Sequence, residues 1–132
     1  MQTGIFGYKG RVHFQTGPCI NEELEALRGL PKTEIFTQVS ALIDKHIHRN
    51  YRLYPGNYVA CDLLNGTETF AGKYTPEEKK RFEAYLQKKL DLIQLPNKDE
   101  DFLRQRILTM YANPAINHLR PSHNEEIRRH LI

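Results

Sequence analysis

Residues 74–93 read YTPEEKKRFEAYLQKKLDLI, and this stretch carries the strongest fold signal in the chain. Thr75 is a helix-capping residue type, Pro76 favours the first helical position, and Glu78 completes the spacing of a capping box. Apolar residues then recur every three or four positions, at Phe82, Leu86, Leu90 and Ile93. The stretch therefore predicts an amphipathic helix with one buried face.

The same signals predict further helices on both sides of this stretch. Residues 21–28 form a short helix capped by Asn21, and residues 33–51 form a longer one capped by Thr33. The apolar stripe of the longer helix consists of Phe36, Val39, Ile43 and Ile47, widened by Ile35 and Leu42. After a turn at Pro55-Gly56, the segment VACDLL (59–64) predicts a short apolar helix or a buried segment.

The C-terminal third continues the helical pattern. Residues 101–112 place Leu103, Ile107, Met110 and Tyr111 on one side. Two more pairs have capping-box spacing, Asn97 with Glu100 and Ser122 with Glu125. Asn113-Pro114 is expected to end or kink the helix.

The N-terminal segment alternates instead of following a helical period. In GRVHFQTG (10–17), Val12 and Phe14 face one way and Arg11, His13 and Gln15 the other, which predicts a strand or short hairpin near residues 3–16. The predicted fold class is therefore mainly α with a short N-terminal β strand or hairpin, an α+β arrangement with four to five amphipathic helices. One domain, 1–132, is expected, with a β segment at 1–20 and a helical region at 21–132.

Composition argues against several classes of protein. The 132 residues include 19 basic and 16 acidic side chains, a balance that does not favour a nucleic-acid partner. A weaker hypothesis of nucleic-acid binding would use the arginines with the tyrosines; those arginines are Arg52, Arg104, Arg106, Arg120, Arg128 and Arg129. Two cysteines are too few for a disulfide framework, and no apolar run predicts a transmembrane segment, so a cytoplasmic location is expected.

The residue types that carry chemistry form no predicted site. His46 and His48 lie two apart on a predicted helix, where their side chains diverge, and Asp44 with His48 supplies only two ligands. Their role is left open. Cys61 lies among apolar residues and is expected to be buried and unreactive. Tyr51, Tyr54 and Tyr58 are expected to pack a loop against helices. No catalytic, cofactor-binding or metal-binding residue and no cofactor are predicted.

One segment, GYKGRVHFQTGPCINEEL (7–24), resembles a known family. It is similar to the late strand and following acidic helix that close the catalytic domain of glycerol-phosphate and 1-acylglycerol-3-phosphate acyltransferases. Val12, Phe14, Gly17 and Ile20 match that pattern, with Pro18 one place early. LIDKHIHRNYRLYPGNYVACDLLNG (42–66) and YTPEEKKRFEAYL (74–86) are similar to C-terminal extensions of bacterial acyltransferase-like proteins, some labelled haemolysins.

The chain departs from that family at the catalytic motif. The family uses His-x-x-x-x-Asp, in which the histidine acts as general base on the acceptor hydroxyl. No histidine in this sequence has aspartate five positions later, and the Glu-Gly-Thr-Arg motif that binds glycerol phosphate is absent; NGTETF (65–70) is a distant echo. No catalytic residue is therefore carried over.

The resemblance implies a function and a set of partners. The chain would be the non-catalytic C-terminal part of a bacterial acyltransferase of glycerophospholipid synthesis, inactive alone. Its partner would be the missing N-terminal catalytic region or another protein, with acyl-CoA or acyl-carrier protein bound only by the full enzyme. That enzyme could lie against the inner membrane face. The alternative is a self-contained small helical protein-interaction module, and a homo-oligomer is left open.

Overall fold

The computed structural model describes residues 10–119, which belong to two compact units divided after Arg52. The first contains helices α1 (Asn21–Glu25) and α2 (Lys32–Asn50). The second contains α3 (Pro55–Asn65), a 3₁₀ turn (Ala71–Lys73), α4 (Pro76–Asp91) and α5 (Glu100–Leu119). The predicted helical character is thus found.

The predicted N-terminal strand is wrong. Residues 10–20 have no strand pairing, and no strand occurs anywhere in residues 10–119. Val12 is 61% and Phe14 is 90% exposed. Alternation supplies an apolar side but no partner for the backbone N–H and C=O groups, and residues 10–119 supply no second strand. The part of the prediction before residue 10 lies outside the described residues.

Helix α4 begins as its sequence predicts. The Thr75 N–H donates to Glu78 Oε2 at 2.9 Å, and the Glu78 N–H donates to Thr75 Oγ1 at 3.2 Å. Pro76 occupies the first turn, where its missing N–H costs no helical hydrogen bond. The predicted capping box is confirmed.

We expect Thr75→Ala to lower the free energy of unfolding by about 1 kcal/mol, because the Glu78 N–H loses its side-chain acceptor. Thr69→Ala, at an exposed position in the preceding loop, is the matched control and should change stability by less than about 0.5 kcal/mol. Urea denaturation followed by circular dichroism measures both. Equal losses in the two variants would mean that the capping box contributes nothing.

Three of the predicted helix-capping residues are wrong. Asn21 makes no capping hydrogen bond, and α2 begins at Lys32, where the Pro31 carbonyl accepts from the N–H groups of Glu34 and Ile35. Thr33 therefore lies inside α2. Asp99 caps α5 in place of Asn97, because Asp99 Oδ1 accepts from the Phe102 N–H at 2.9 Å.

Two prolines also behave differently from prediction. Pro55 opens α3 instead of making a turn, and the Tyr54 N–H before it donates to Asn57 Oδ1 at 2.9 Å. The prediction at Asn113-Pro114 was an end or a kink of the helix; Pro114 lies inside α5, which continues to Leu119, so the end is wrong. An interior proline removes one backbone hydrogen bond from a helix. Tertiary packing of α5 stabilises the helix in spite of that loss. The predicted Ser122–Glu125 capping box lies outside the described residues.

The core lies between α3, α4 and α5. Small residues of α3 and α5 face each other, and Cys61 Sγ donates to the Ala112 carbonyl at 3.6 Å. Leu86 and Leu90 of α4 and Leu108 of α5 fill the rest. Leu86, Leu90 and Ala112 are at most 1% exposed. Each buried leucine contributes about 1.5–3 kcal/mol of transfer free energy, so this core accounts for the association of the three helices.

Candidate functional site

The first unit exposes an apolar row on α2. Phe36, Ile43 and Ile47 are 60%, 44% and 52% exposed, and no residue of α2 is buried. Half-buried Ile35, Val39 and Leu42 widen the row. At 100° per residue, the apolar side chains together cover an arc of roughly 140°. The sequence predicted this stripe correctly as a pattern, and none of its members is buried.

Charge is distributed unevenly along the same unit. Residues 21–34 carry four carboxylates, at Glu22, Glu23, Glu25 and Glu34, and two cations, at Arg28 and Lys32. Arg28 Nη2 pairs with Glu25 Oε1 at 2.7 Å. The rest of α2 carries Lys45 and Arg49 and a single carboxylate, Asp44. Residues 21–34 therefore have a net negative charge, and the rest of α2 has a net positive charge.

His46 and His48 lie on α2, where residues two apart point about 200° from each other. His46 belongs to the apolar side, and the ring of His48 meets that of Tyr51 edge to face, with centroids 6.0 Å apart. No group of three side chains suited to a metal ion occurs among residues 10–119.

Among residues 53–119, the largest group of side-chain hydrogen bonds is built around Asp62. Its side chain is 1% exposed. Oδ1 accepts from Thr67 Oγ1 at 3.0 Å and from the Phe70 N–H at 3.3 Å, and Oδ2 accepts from the Phe70 N–H at 3.0 Å and from the Tyr74 hydroxyl at 2.8 Å. The carboxylate thus ties the loop between α3 and α4 to α3. Since every hydrogen bond runs to that loop, the site stabilises the fold and offers no free atom to a substrate.

The hydrogen bond to Asp62 affects the pKa of Tyr74. Partial burial, followed by the hydrogen bond to Asp62 and the charges of Asp62 and Glu68, raises the pKa of Tyr74 from 10.0 to about 12. Tyr74 ionises at a lower pH in the unfolded chain than in the folded chain. The stability that neutral Tyr74 contributes to the fold is therefore fully present below pH 10 and is lost as the pH rises toward about 12.

We expect a near-ultraviolet absorbance titration of the native chain to show one tyrosine ionising near pH 12. In Asp62→Asn this step should move to lower pH, because the carboxylate that holds the phenol proton is gone. Tyr74→Phe should remove the step and serves to assign it. An unchanged titration in Asp62→Asn would contradict the assignment to the Asp62–Tyr74 pair.

The two cysteines and Tyr58 were also considered from the sequence. Cys61 is buried as predicted, and burial, followed by the neighbouring Asp62 charge, raises the pKa of its thiol, which disfavours the reactive thiolate. Cys19 is exposed. Tyr58 packs on Phe70 with ring centroids 5.5 Å apart, which confirms the predicted packing of that tyrosine against a loop.

An aromatic cluster of Phe82, Tyr85 and Tyr111 lies at the surface between α4 and α5. The hydroxyls of Tyr85 and Tyr111 are 2.7 Å apart, and the Phe82 ring meets that of Tyr111 edge to face. Burial, followed by the Tyr85 hydrogen bond, raises the pKa of Tyr111. Lys89 Nζ lies 5.2 Å from the centre of the Tyr85 ring. The contacts of Tyr85 and Phe82 with Tyr111 join α4 to α5, so the cluster has a structural role.

Comparisons with known proteins identify no relative: no family model, no curated protein and no solved structure matches the chain. Within residues 10–119, none of the helices combines the length and apolar character that crossing a bilayer requires. The apolar row of α2 is therefore the feature that points most directly to a function.

Proposed function

We propose that this chain is a non-catalytic helical module that acts by binding a protein through its first unit. The observation that carries the proposal is the contrast between the two units. Residues 53–119 bury a leucine-rich core, whereas α2 leaves Phe36, Ile43 and Ile47 largely exposed. A contiguous apolar surface that folding does not use is typical of an interaction site.

The pattern of α2 also specifies how it would bind. Anchors at helical spacing along one side suit the packing of one amphipathic helix against an apolar surface of a partner. Large apolar side chains would supply most of the binding free energy, with polar side chains at the rim. The fully satisfied Asp62 site and the buried Cys61 support a non-catalytic role for the second unit.

Photo-cross-linking in cells of the source organism tests this proposal. A photoreactive phenylalanine analogue replaces Ile43 in one variant and Ala41, on the opposite side of α2, in the other. We expect discrete cross-linked protein products from position 43 and none from position 41. Equal yields at both positions, or none at either, would contradict a specific interaction surface on α2.

We also propose that the segment with Val12 and Phe14, separate from the α2 row, packs against the catalytic region of a glycerol-phosphate acyltransferase. The observation that favours it is that the segment resembling this family carries apolar side chains without cover, Val12 and Phe14, at 61% and 90% exposed. Such side chains gain free energy when another surface covers them. Acyl-CoA or acyl-carrier protein would then bind to the catalytic region, and the enzyme could lie peripherally at the inner membrane face.

An acyl-transfer assay tests the non-catalytic role that both proposals share, and the reading frame upstream of Met1 tests the link to the acyltransferase. The chain alone should transfer no acyl group from acyl-CoA or acyl-carrier protein to glycerol-phosphate acceptors, because it has no His-x-x-x-x-Asp motif. The reading frame upstream of Met1 should encode that motif. Turnover by the isolated chain would contradict a non-catalytic role, and a native translation start at Met1 would remove the link to the acyltransferase.

A further inference from the structure

Helix α2 carries a row of anchors that can pair with itself. Phe36 and Ile47 lie toward opposite ends of the row, and Ile43 lies between them next to the small side chain of Ser40. In an antiparallel pair with Phe36 of one helix opposite Ile47 of the other, Ile43 lies opposite Ser40. A large side chain then faces a small one, the arrangement that lets two helices approach closely.

The charges flanking the row are complementary between its two ends. Residues 21–34, which precede and begin α2, carry more carboxylates than cations, and Lys45 and Arg49 lie near the end of α2. Antiparallel pairing brings the acidic end of each copy near the basic end of the other, and it also opposes the two helix dipoles favourably. A uniformly acidic or uniformly basic partner would match only one end.

We propose that the occupant of the α2 row is α2 of a second copy of this chain, in an antiparallel two-fold pair. This inference rests on the proposed function and names its partner. A two-fold interface uses the same surface on both copies, so a row with complementary ends suffices to close it. Because two single helices bury a small area, the dimer exchanges with monomer at roughly micromolar concentrations.

Sedimentation equilibrium over a concentration series tests the pairing with matched variants. Ile43→Gln should raise the dimer dissociation constant at least about tenfold, because it places a polar group at the centre of the interface. Ala41→Gln, which introduces the same side chain two positions away on the exposed opposite side, should leave the constant unchanged. Equal effects of the two substitutions would overturn the proposed geometry.

A charge exchange tests the orientation. Lys45→Glu with Arg49→Glu in one variant, and Glu22→Lys, Glu23→Lys and Glu34→Lys in another, should each weaken self-association by roughly tenfold at low salt. Mixing the two variants should restore a heterodimer, because opposite charges then meet again. No restoration on mixing would overturn the antiparallel arrangement.

The cross-linking experiment separates failure of this inference from failure of the proposed function. A product from position 43 that contains two copies of this chain supports both proposals. A product with a different protein, from a chain that sediments as a monomer at all concentrations, overturns the second copy as the occupant and keeps the interaction module. A monomer without any product overturns both.

Discussion

Asp62→Ala should lower the free energy of unfolding by about 2–6 kcal/mol, since two half-buried donors and one exposed donor lose their acceptor, and each half-buried donor left unsatisfied costs roughly 1–3 kcal/mol. Those donors are the Thr67 hydroxyl, the Phe70 N–H and the Tyr74 hydroxyl. Small domains have total stabilities of about 5–15 kcal/mol, so residues 53–119 would lose a large share of theirs. Urea denaturation followed by circular dichroism measures the loss.

Two further substitutions make the experiment specific. Asp62→Asn keeps the shape and one acceptor oxygen, and we expect a smaller loss of about 1–3 kcal/mol. Asp101→Ala removes an exposed carboxylate in the first turn of α5 and should cost less than about 0.5 kcal/mol. If Asp62→Ala cost no more than Asp101→Ala, the buried carboxylate would not hold the loop between α3 and α4.

Leu90→Ala should have an effect of similar size for a different reason. Leu90 is 0% exposed in the core between α3, α4 and α5. Its truncation removes buried apolar atoms and leaves a cavity, which together cost about 2.7–5 kcal/mol. Thermal and urea unfolding should both register the loss.

The same helix end offers a control of the same residue type. Leu92, two positions after Leu90, is 65% exposed. Leu92→Ala should change the free energy of unfolding by less than about 0.5 kcal/mol, because that side chain is already largely in water. Similar losses at positions 90 and 92 would contradict the packing of α4 described above.

The second unit could be predicted best where local and tertiary signals agree. In α4 the capping box, the proline and the apolar spacing all specify the same helix, and Leu86 and Leu90 lie in the core as expected. In α5 the stripe was only partly right, because Met110 is 59% exposed and the buried residues include Ala112 and Ala115. Alanine gives a weak hydrophobic signal, yet it permits close helix packing.

The first unit shows why periodicity alone is insufficient. Alternation in residues 10–17 and the stripe of α2 each define an apolar side, but neither specifies what covers it. Val12, Phe14 and Phe36 are all at least 60% exposed. A β strand also needs a backbone partner, whereas a helix satisfies its own hydrogen bonds, so the helix formed and the strand did not.

Asp62 was missed because VACDLL (59–64) predicts only a short apolar helix or a buried segment and no hydrogen-bonded site. One signal was available: a single charged residue in the otherwise apolar VACDLL, followed by a loop rich in hydrogen-bond donors. A buried charge requires such partners nearby. Which donors turn toward it depends on the loop conformation, and that could not be predicted from spacing.

The most direct test of the central claim, that the α2 row is a binding surface and not core, is the stability of a variant with Phe36, Ile43 and Ile47 all replaced by Gln. It should be measured at submicromolar concentration, below the range in which the proposed dimer would form. We expect a loss of at most about 0.5 kcal/mol per substitution, or about 1.5 kcal/mol for the three together, because these side chains are already 44–60% exposed. A loss of several kcal/mol would show that the row is needed for folding and would contradict the claim.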